Sequence, residues 1–323
     1  MDPASSDDAS IDNPPDQYDP AGERRRLILN PTSGRGAHVR QARDLAAENG
    51  FELVETQRGG HAVDLAKTAA ADGVDLLAVC GGDGTLHETV CGLFEADALD
   101  AVTLAVVPSG TANMVADHLD IESLAEGFDV ADGGETRRLD LGVAGDEPFV
   151  LSAIAGLPAD ASAAATHDLK RRFGSLAFVI GGVQETLAFD GLRVAVETGD
   201  PNGDGTNWRG EALTVLVGNL RTFDPDQSPE GAQDGLLDVK IGERMPPGDA
   251  VAESVAQRLL GRETEHVTSL RAKSIEFEHL DGEPVTFSLD GEIRTFDDIE
   301  FSVLPRALRV RVGKEYDSSP DAS

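Results

Sequence analysis

One stretch constrains the chain more than any other: Leu76-Leu77-Ala78-Val79-Cys80, followed at once by Gly81-Gly82-Asp83-Gly84-Thr85. Five consecutive apolar residues suit a strand buried on both faces. Three glycines then fall within four residues. Thr85, with Glu88 three residues on, has the pattern of a capping box that opens a helix. The stretch predicts a strand, a glycine turn and a helix N-terminus. Glycines without a Cβ let a ligand approach the backbone, and a helix N-terminus favours phosphate. Asp83 places one carboxylate inside that turn. Beside phosphates it makes sense where it handles Mg²⁺ or orients a nucleotide. An isolated Gly-Gly-x-Gly is more often an ordinary turn with a surface Asp, so the rest of the chain has to decide.

The flanking sequence repeats the pattern. Arg26 to Asn30 predicts a strand. Asn30-Pro31-Thr32-Ser33-Gly34-Arg35-Gly36 follows as a loop, and residues 37–49 read as a helix stopped by Gly50. Strands are expected at 51–56, 74–80 and 102–107, with helices at 62–71, 85–95 and 111–118. The last strand runs into Pro108-Ser109-Gly110-Thr111-Ala112-Asn113. This alternation predicts a parallel sheet with helices on both faces, a Rossmann-like arrangement. Right-handed crossovers put every loop that leads into a helix at one sheet edge. Loops 30–36, 81–85 and 108–113 then converge on one crevice, and that convergence argues a nucleotide site. Neither the P-loop nor the dinucleotide spacing is present.

Beyond about Arg138 the texture changes. Strand-like runs occur at 193–197, 213–217, 236–241, 274–277, 285–289, 299–304 and 308–312, separated by turns such as Asp281-Gly282. Helices are expected at 158–169, 176–188 and near 249–260. The second half reads as a mostly antiparallel β-sandwich. The expected division is an acidic disordered tail at 1–22, a nucleotide domain at 23–138, a β domain at 139–313 and a frayed end at 314–323.

Charge narrows the partners. The formal net charge is −32, from 59 acidic against 27 basic residues. The acids are spread along the chain and only five residues are lysine. That looks like a halophile's adaptation to salt, where counter-ions screen self-repulsion. No basic stripe exists, which argues against a nucleic-acid partner. Cys80 and Cys91 make no disulfide framework and suit a reduced, cytoplasmic interior. No apolar stretch reaches membrane-spanning length.

The motifs together resemble the diacylglycerol kinase catalytic family, which includes bacterial soluble lipid kinases and, more distantly, sphingosine and ceramide kinases. The resemblance rests on the three loops above and on three later segments. These are Phe173-Gly174-Ser175-Leu176-Ala177-Phe178, Gly231-Ala232-Gln233-Asp234-Gly235-Leu236-Leu237-Asp238-Val239 and Ser288-Leu289-Asp290-Gly291-Glu292. The order is the expected one. Met114 follows Asn113 where the family often has Asp, and Ser152 stands where it often has Asn.

The resemblance implies phosphoryl transfer from ATP to a lipid hydroxyl. ATP lies over Gly81, Gly82, Asp83, Gly84 and Thr85, with Thr56 and Thr111 as further contacts. Asn30, Ser33, Gly34, Arg35, Ser109, Gly110 and Asn113 belong to the same nucleotide site. Glu292 is the implied general base, with Asp83 near Mg²⁺ and the phosphates. A structural Mg²⁺ is implied near Asp234, with the carbonyls of Gly231 and Leu236 completing its shell. His87, one turn into the helix after the glycine turn, is the one histidine placed to touch ATP. Implied partners are a lipid substrate and, at most, peripheral membrane contact; a homodimer stays open. Two rivals remain: an NAD kinase-like phosphotransferase, and a catalytically silent nucleotide- or lipid-binding regulator.

Overall fold

A computed structural model of the chain describes residues 22–156, 191–199, 207–220, 233–243 and 267–316. The expected helices at 158–169, 176–188 and 249–260 lie outside them.

The first half is the α/β unit that the alternation predicts. Strands β1 (Arg25–Leu29), β2 (Glu52–Glu55), β3 (Leu76–Gly81) and β4 (Thr103–Pro108) run parallel in the order β2-β1-β3-β4. Strand side chains alternate between faces, and the core divides accordingly. Leu27, Leu29, Leu76, Ala78 and Cys80 pack with Ala42 and Ala46 of α1 (Val39–Glu48) and with Phe128 and Ala131 of α5 (Leu124–Gly133). Ile28, Leu77 and Val79 pack on the opposite face. Their partners are Ala62, Ala66 and Ala69 of α2 (His61–Ala71) and Leu86, Val90 and Leu93 of α3 (Asp83–Glu95). Both β3 and β4 are buried along their whole length, as uninterrupted apolar runs require.

Helix α3 corrects the capping assignment. It starts at Asp83, and its N-cap is Gly82, with no side-chain cap. Glu88 instead reaches across to α2, accepting the N–H groups of Gly60 at 2.8 Å and Ala62 at 3.2 Å. A carboxylate at the start of a neighbouring helix is favoured by the same unsatisfied amides and dipole. A true local cap lies further on and escaped the sequence reading. Ser123 accepts the Glu126 N–H at 3.3 Å and opens α5. Helix α4 (Met114–His118) is shorter than the expected 111–118, because Asn113 adopts φ +53° immediately before it.

The second half is antiparallel and β-sandwich-like. Strands β5 (Glu135–Ala144), β6 (Glu147–Phe149), β7 (Ser152–Gly156), β11 (Val267–Ala272) and β14 (Glu292–Phe296) add to the expected set. That set appears as β8 (Leu192–Gly199), β9 (Asn207–Gly218), β10 (Leu237–Glu243), β12 (Ser274–His279) and β13 (Val285–Leu289). Phe149, Phe277, Phe287 and Phe301 meet edge to face at centroid separations of 5.1–6.3 Å in its core.

The two expected strands 299–304 and 308–312 are one strand, β15 (Asp298–Val312). It pairs antiparallel with β12 at one end and parallel with β4 at the other, so the sheet continues from one half into the other. Strand β5 follows it antiparallel, with a register shift between Leu304 and Leu308. Pro305 has no N–H to donate, and Arg306 takes φ +53° there. Buried Asp140 stitches the irregularity by accepting the N–H groups of Arg306 and Gly235, each at 2.7 Å.

Candidate active site

The ends of β1, β3 and β4 bring the three glycine loops together. Asn30 donates its backbone N–H to the Cys80 carbonyl at 2.8 Å and its side-chain amide to Thr85 Oγ1 at 2.8 Å. The Ser33 and Ser109 hydroxyls lie 2.8 Å apart. Asn113 Oδ1 accepts the Gly110 N–H at 2.8 Å. Arg35 sits on the short 3₁₀ turn Ser33–Gly36. Thr56 closes the edge of the sheet, its N–H bonded to the Leu29 carbonyl at 2.9 Å. Thr111 is exposed at the rim.

Packing within and between the loops also calls for glycine. A Cβ on Gly34 would lie 2.1 Å from the Ser109 carbonyl oxygen, and one on Gly110 would lie 2.5 Å from Gly82 Cα. On Gly81 it would meet Thr85 Cβ at 2.6 Å. Gly34 and Gly110 lie where one loop presses on another, and Gly81 where the turn folds onto its own Thr85. Only Gly84 of the turn faces open space.

Asp83 is held by the next loop. Its Oδ1 accepts the Val115 N–H at 3.1 Å, at the start of α4. Burial raises its pKa, and the nearby Asp290 carboxylate adds to that effect against the amides of Val115 and Met114. Asp290 belongs to the other half of the chain. It sits with Gly291 in the two-residue turn between β13 and β14, at φ +50° and +103°. Two positive φ values in succession are the Asp-Gly hairpin geometry. The Asp290 carboxylate accepts N–H groups from Val150, Leu151 and Ser152 at 2.6, 2.8 and 2.9 Å. Ser152 thus contributes its backbone to the turn. His87 completes the set, its Nδ1 3.1 Å from Asp290 Oδ2. Glu292 follows as the first residue of β14, with a side chain 50 % exposed.

The comparisons cover both halves of this arrangement. Residues 24–144 match the diacylglycerol kinase catalytic domain. Residues 152–312 match the YegS C-terminal NAD kinase beta sandwich-like domain. The chain belongs to the diacylglycerol kinase catalytic family. A probable lipid kinase YegS-like protein of Enterobacter sp. (strain 638) is 29 % identical over 293 residues, 88 % of this chain and 95 % of its own. A diacylglycerol kinase of Bacillus subtilis (strain 168) is 29 % identical over 307 residues, covering 91 % and 97 %. Among solved structures, a putative diacylglycerol kinase from Bacillus anthracis shares the fold with a TM-score of 0.72 at 23 % identity, covering 91 % and 97 %.

Two metal positions are implied for this family member, and they differ in fit. Asp83 is a half-buried carboxylate beside the open face of the glycine turn. That suits Mg²⁺ held by one or two carboxylates and substrate phosphates. Asp234 does not suit a cation. Its Oδ1 accepts the Leu236 N–H at 2.8 Å, and its Oδ2 pairs with the Arg271 guanidinium. Arg271 also donates to Asp238 at 2.8 Å. Both Asp234 oxygens are thus already engaged, and Gly231 lies outside the described residues. Without nucleotide, and at fixed ionic strength in molar KCl, the melting temperature should not move between Mg²⁺ and EDTA. Arg271→Ala, which frees two carboxylates, should acquire a Mg²⁺-dependent rise. A wild-type melting temperature that drops on chelation would restore the ion to this turn.

What sequence reasoning missed is the partner of His87. His87 and Asp290 are 203 residues apart, and 59 acidic residues offered no pattern that singled out one of them. Asn219 was missed as well. It is buried and donates to the carbonyls of Asp140 at 3.0 Å and Val150 at 2.8 Å, bracing the start of β7.

Proposed function

We infer that this protein is an ATP-dependent lipid kinase, an enzyme that transfers the γ-phosphoryl group to the hydroxyl of a lipid. The observation that carries the reading is the meeting of the glycine turn of the first half with the Asp290-Gly291-Glu292 turn of the second, across Asp83, His87 and Asp290. The nucleotide unit is taken as residues 23–138 and the lipid unit as 139–313. ATP would lie along Gly81–Thr85, with Asn30, Ser33, Gly34, Arg35, Thr56 and Ser109, Gly110, Thr111 and Asn113 shaping the crevice.

A lipid hydroxyl is a weak nucleophile at neutral pH, so a carboxylate takes its proton as the new oxygen–phosphorus bond forms and the bond from the γ-phosphorus to the β–γ bridging oxygen breaks, releasing ADP. Glu292 is half-exposed and stands beside the turn that approaches Asp83, which supports that role. Mg²⁺, when bound with ATP, would neutralise phosphate charge, and Asp83 would hold it. The N-terminal end of α3 stabilises the same charge through its dipole. The lipid is presented at a membrane surface, so we place the reaction there as a peripheral encounter. Among the described residues no helix is long and apolar enough to cross a membrane.

Labelled γ-phosphate ATP, offered with a total lipid extract of the source organism, should put label into the organic phase, and mass spectrometry of the product names the lipid. A parallel incubation with NAD separates the nearest rival. Label recovered in NADP, and none in lipid, would overturn the reading.

A further inference from the structure

We propose that His87 is a positioning residue: its bond to Asp290 fastens the turn that carries Glu292 to the helix that begins in the Gly81–Thr85 loop. The proposal rests on the lipid-kinase reading and adds a device that holds the base against the phosphate loop.

Glu292 has little of its own to fix it. Its carboxylate is half-exposed, and its nearest ion partner among the described residues is Arg294, at 4.0 Å. Its position comes from the backbone of the two-residue turn before it. Strands β13 and β14 pair Leu289 with Glu292 across that turn. Asp290, the first turn residue, is bound on every side. Its carboxylate takes three backbone N–H groups of the segment Val150, Leu151 and Ser152, and its own N–H donates to the Ser152 carbonyl at 3.0 Å. Those contacts lie within the second half of the chain. The contact with His87 crosses to the first half.

His87 lies four residues beyond Asp83, on the buried face of α3, and is 3 % exposed. Both ring nitrogens are occupied within the protein. Nδ1 faces Asp290, and Nε2 lies 3.5 Å from Cys91 Sγ on the same helix. No ring atom is left for a phosphate, which argues against a direct nucleotide contact. Among the described residues, the charged groups around the ring are Asp290 on the facing turn and, beyond it, Asp83; Cys91 is the titratable neighbour on α3. Burial opposes a charge on the ring, but the bonds to Asp290 and Cys91 outweigh it and push the His87 pKa up to about 10. An imidazolium bonded to a buried carboxylate is a charge-assisted contact, stronger and more directional than a neutral one. Misplacing a reacting group by about 1 Å through a distant change can lower a rate by about 10²-fold.

The test has two arms. In the first, the imidazole resonances of the unaltered protein are followed by NMR against pH, with His87 assigned by its loss in His87→Gln. The His87 ring should stay in the imidazolium form past pH 8 and titrate near pH 10. A midpoint at the ordinary value of about 6.5 would overturn the proposal. In the second arm, His87→Leu and His87→Gln are assayed with labelled ATP and dioleoylglycerol in mixed micelles, and ATP affinity is measured separately by equilibrium binding. His87→Leu should lower kcat by about 10²-fold with ATP affinity held within about twofold. His87→Gln keeps an N–H donor toward Asp290 and should recover roughly tenfold of that loss. Lost ATP affinity with kcat unchanged at saturation would make His87 a nucleotide contact and sink the proposal. If His87→Leu fails to fold, the NMR titration and the Gln variant still decide it. A native protein that phosphorylates no lipid at all would fail the kinase reading instead, and the titration would then judge the clamp by itself.

Discussion

Glu292→Gln should lower kcat by about 10²–10⁴-fold while leaving ATP affinity nearly unchanged, the range expected when general-base assistance is removed. Glutamine keeps the size and hydrogen-bonding shape of the side chain but cannot accept the proton of the attacking hydroxyl. Glu292 opens β14 just after the Asp290-Gly291 turn, and its side chain is half-exposed, so the substitution disturbs no core packing. The fold should therefore melt within a degree or two of wild type, as surface substitutions generally do. The assay is steady-state turnover with ATP and lipid, paired with a direct ATP-binding measurement. If turnover at saturation is retained and ATP binding is lost, Glu292 touches the nucleotide. The base would then have to be sought elsewhere, with Asp83 first in line.

Asp83→Asn should abolish turnover to within measurement, a loss of about 10²-fold or more, and leave the fold intact. Asparagine retains an oxygen that can accept the Val115 N–H, so the start of α4 stays held. What disappears is the negative charge beside the glycine turn. Stability should move in the opposite direction to activity. The folded-state pKa of Asp83 is raised above its ordinary value, first by burial and then by Asp290. The folded state therefore binds the proton more tightly than the unfolded chain. Stability falls as pH rises from the ordinary carboxylate value through the raised one, and stays lower above it. At neutral pH the wild type carries that penalty and Asp83→Asn does not. The variant should melt at or above wild type at pH 7, with the difference closing as the pH is lowered toward the ordinary carboxylate value. Asp83→Ala gives the contrast. It loses the contact to α4 and should be less stable than Asp83→Asn by about 1 kcal/mol, the usual worth of a cap. Asp83→Asn melting as low as Asp83→Ala at pH 7 would show that the charge, and not the acceptor geometry, holds α4.

These expectations share a physical basis. A partly desolvated carboxylate kept at some cost to the fold is the pattern expected of a functional site. Asp140 shows that burial alone is not enough for that inference. Its pKa is also raised by burial, yet both its oxygens are spent on the backbone of Gly235 and Arg306 at the irregularity in β15. Its role is to close the joint between the two halves. Asp83 differs because the open side of the glycine turn lies beside it.

The sequence by itself determined the elements whose cause is local. Leu76 to Cys80 read as a strand buried on both sides, because its short apolar run has no polar face to show to water. The alternation of such runs with helical stretches fixed the parallel sheet, and right-handed crossovers then brought loops 30–36, 81–85 and 108–113 to one edge. The Asp281-Gly282 dipeptide was legible as a turn because glycine tolerates the positive φ that Gly282 adopts. Even within this local reading, the capping box at Thr85 and Glu88 was misplaced. Whether a carboxylate caps its own helix or its neighbour's depends on which amides stand nearer, and Glu88 found those of Gly60 and Ala62. The tertiary structure alone decided the rest. It chose Asp290 for His87, Arg271 for Asp234, and a single β15 that crosses from one half of the protein to the other. Such pairings join residues far apart in the chain, and an interaction between charges depends on their separation in space and on the burial around them. Sequence spacing carries neither quantity. In a chain with 59 acidic residues almost any cation has many plausible partners on paper, and only the packed fold selects among them.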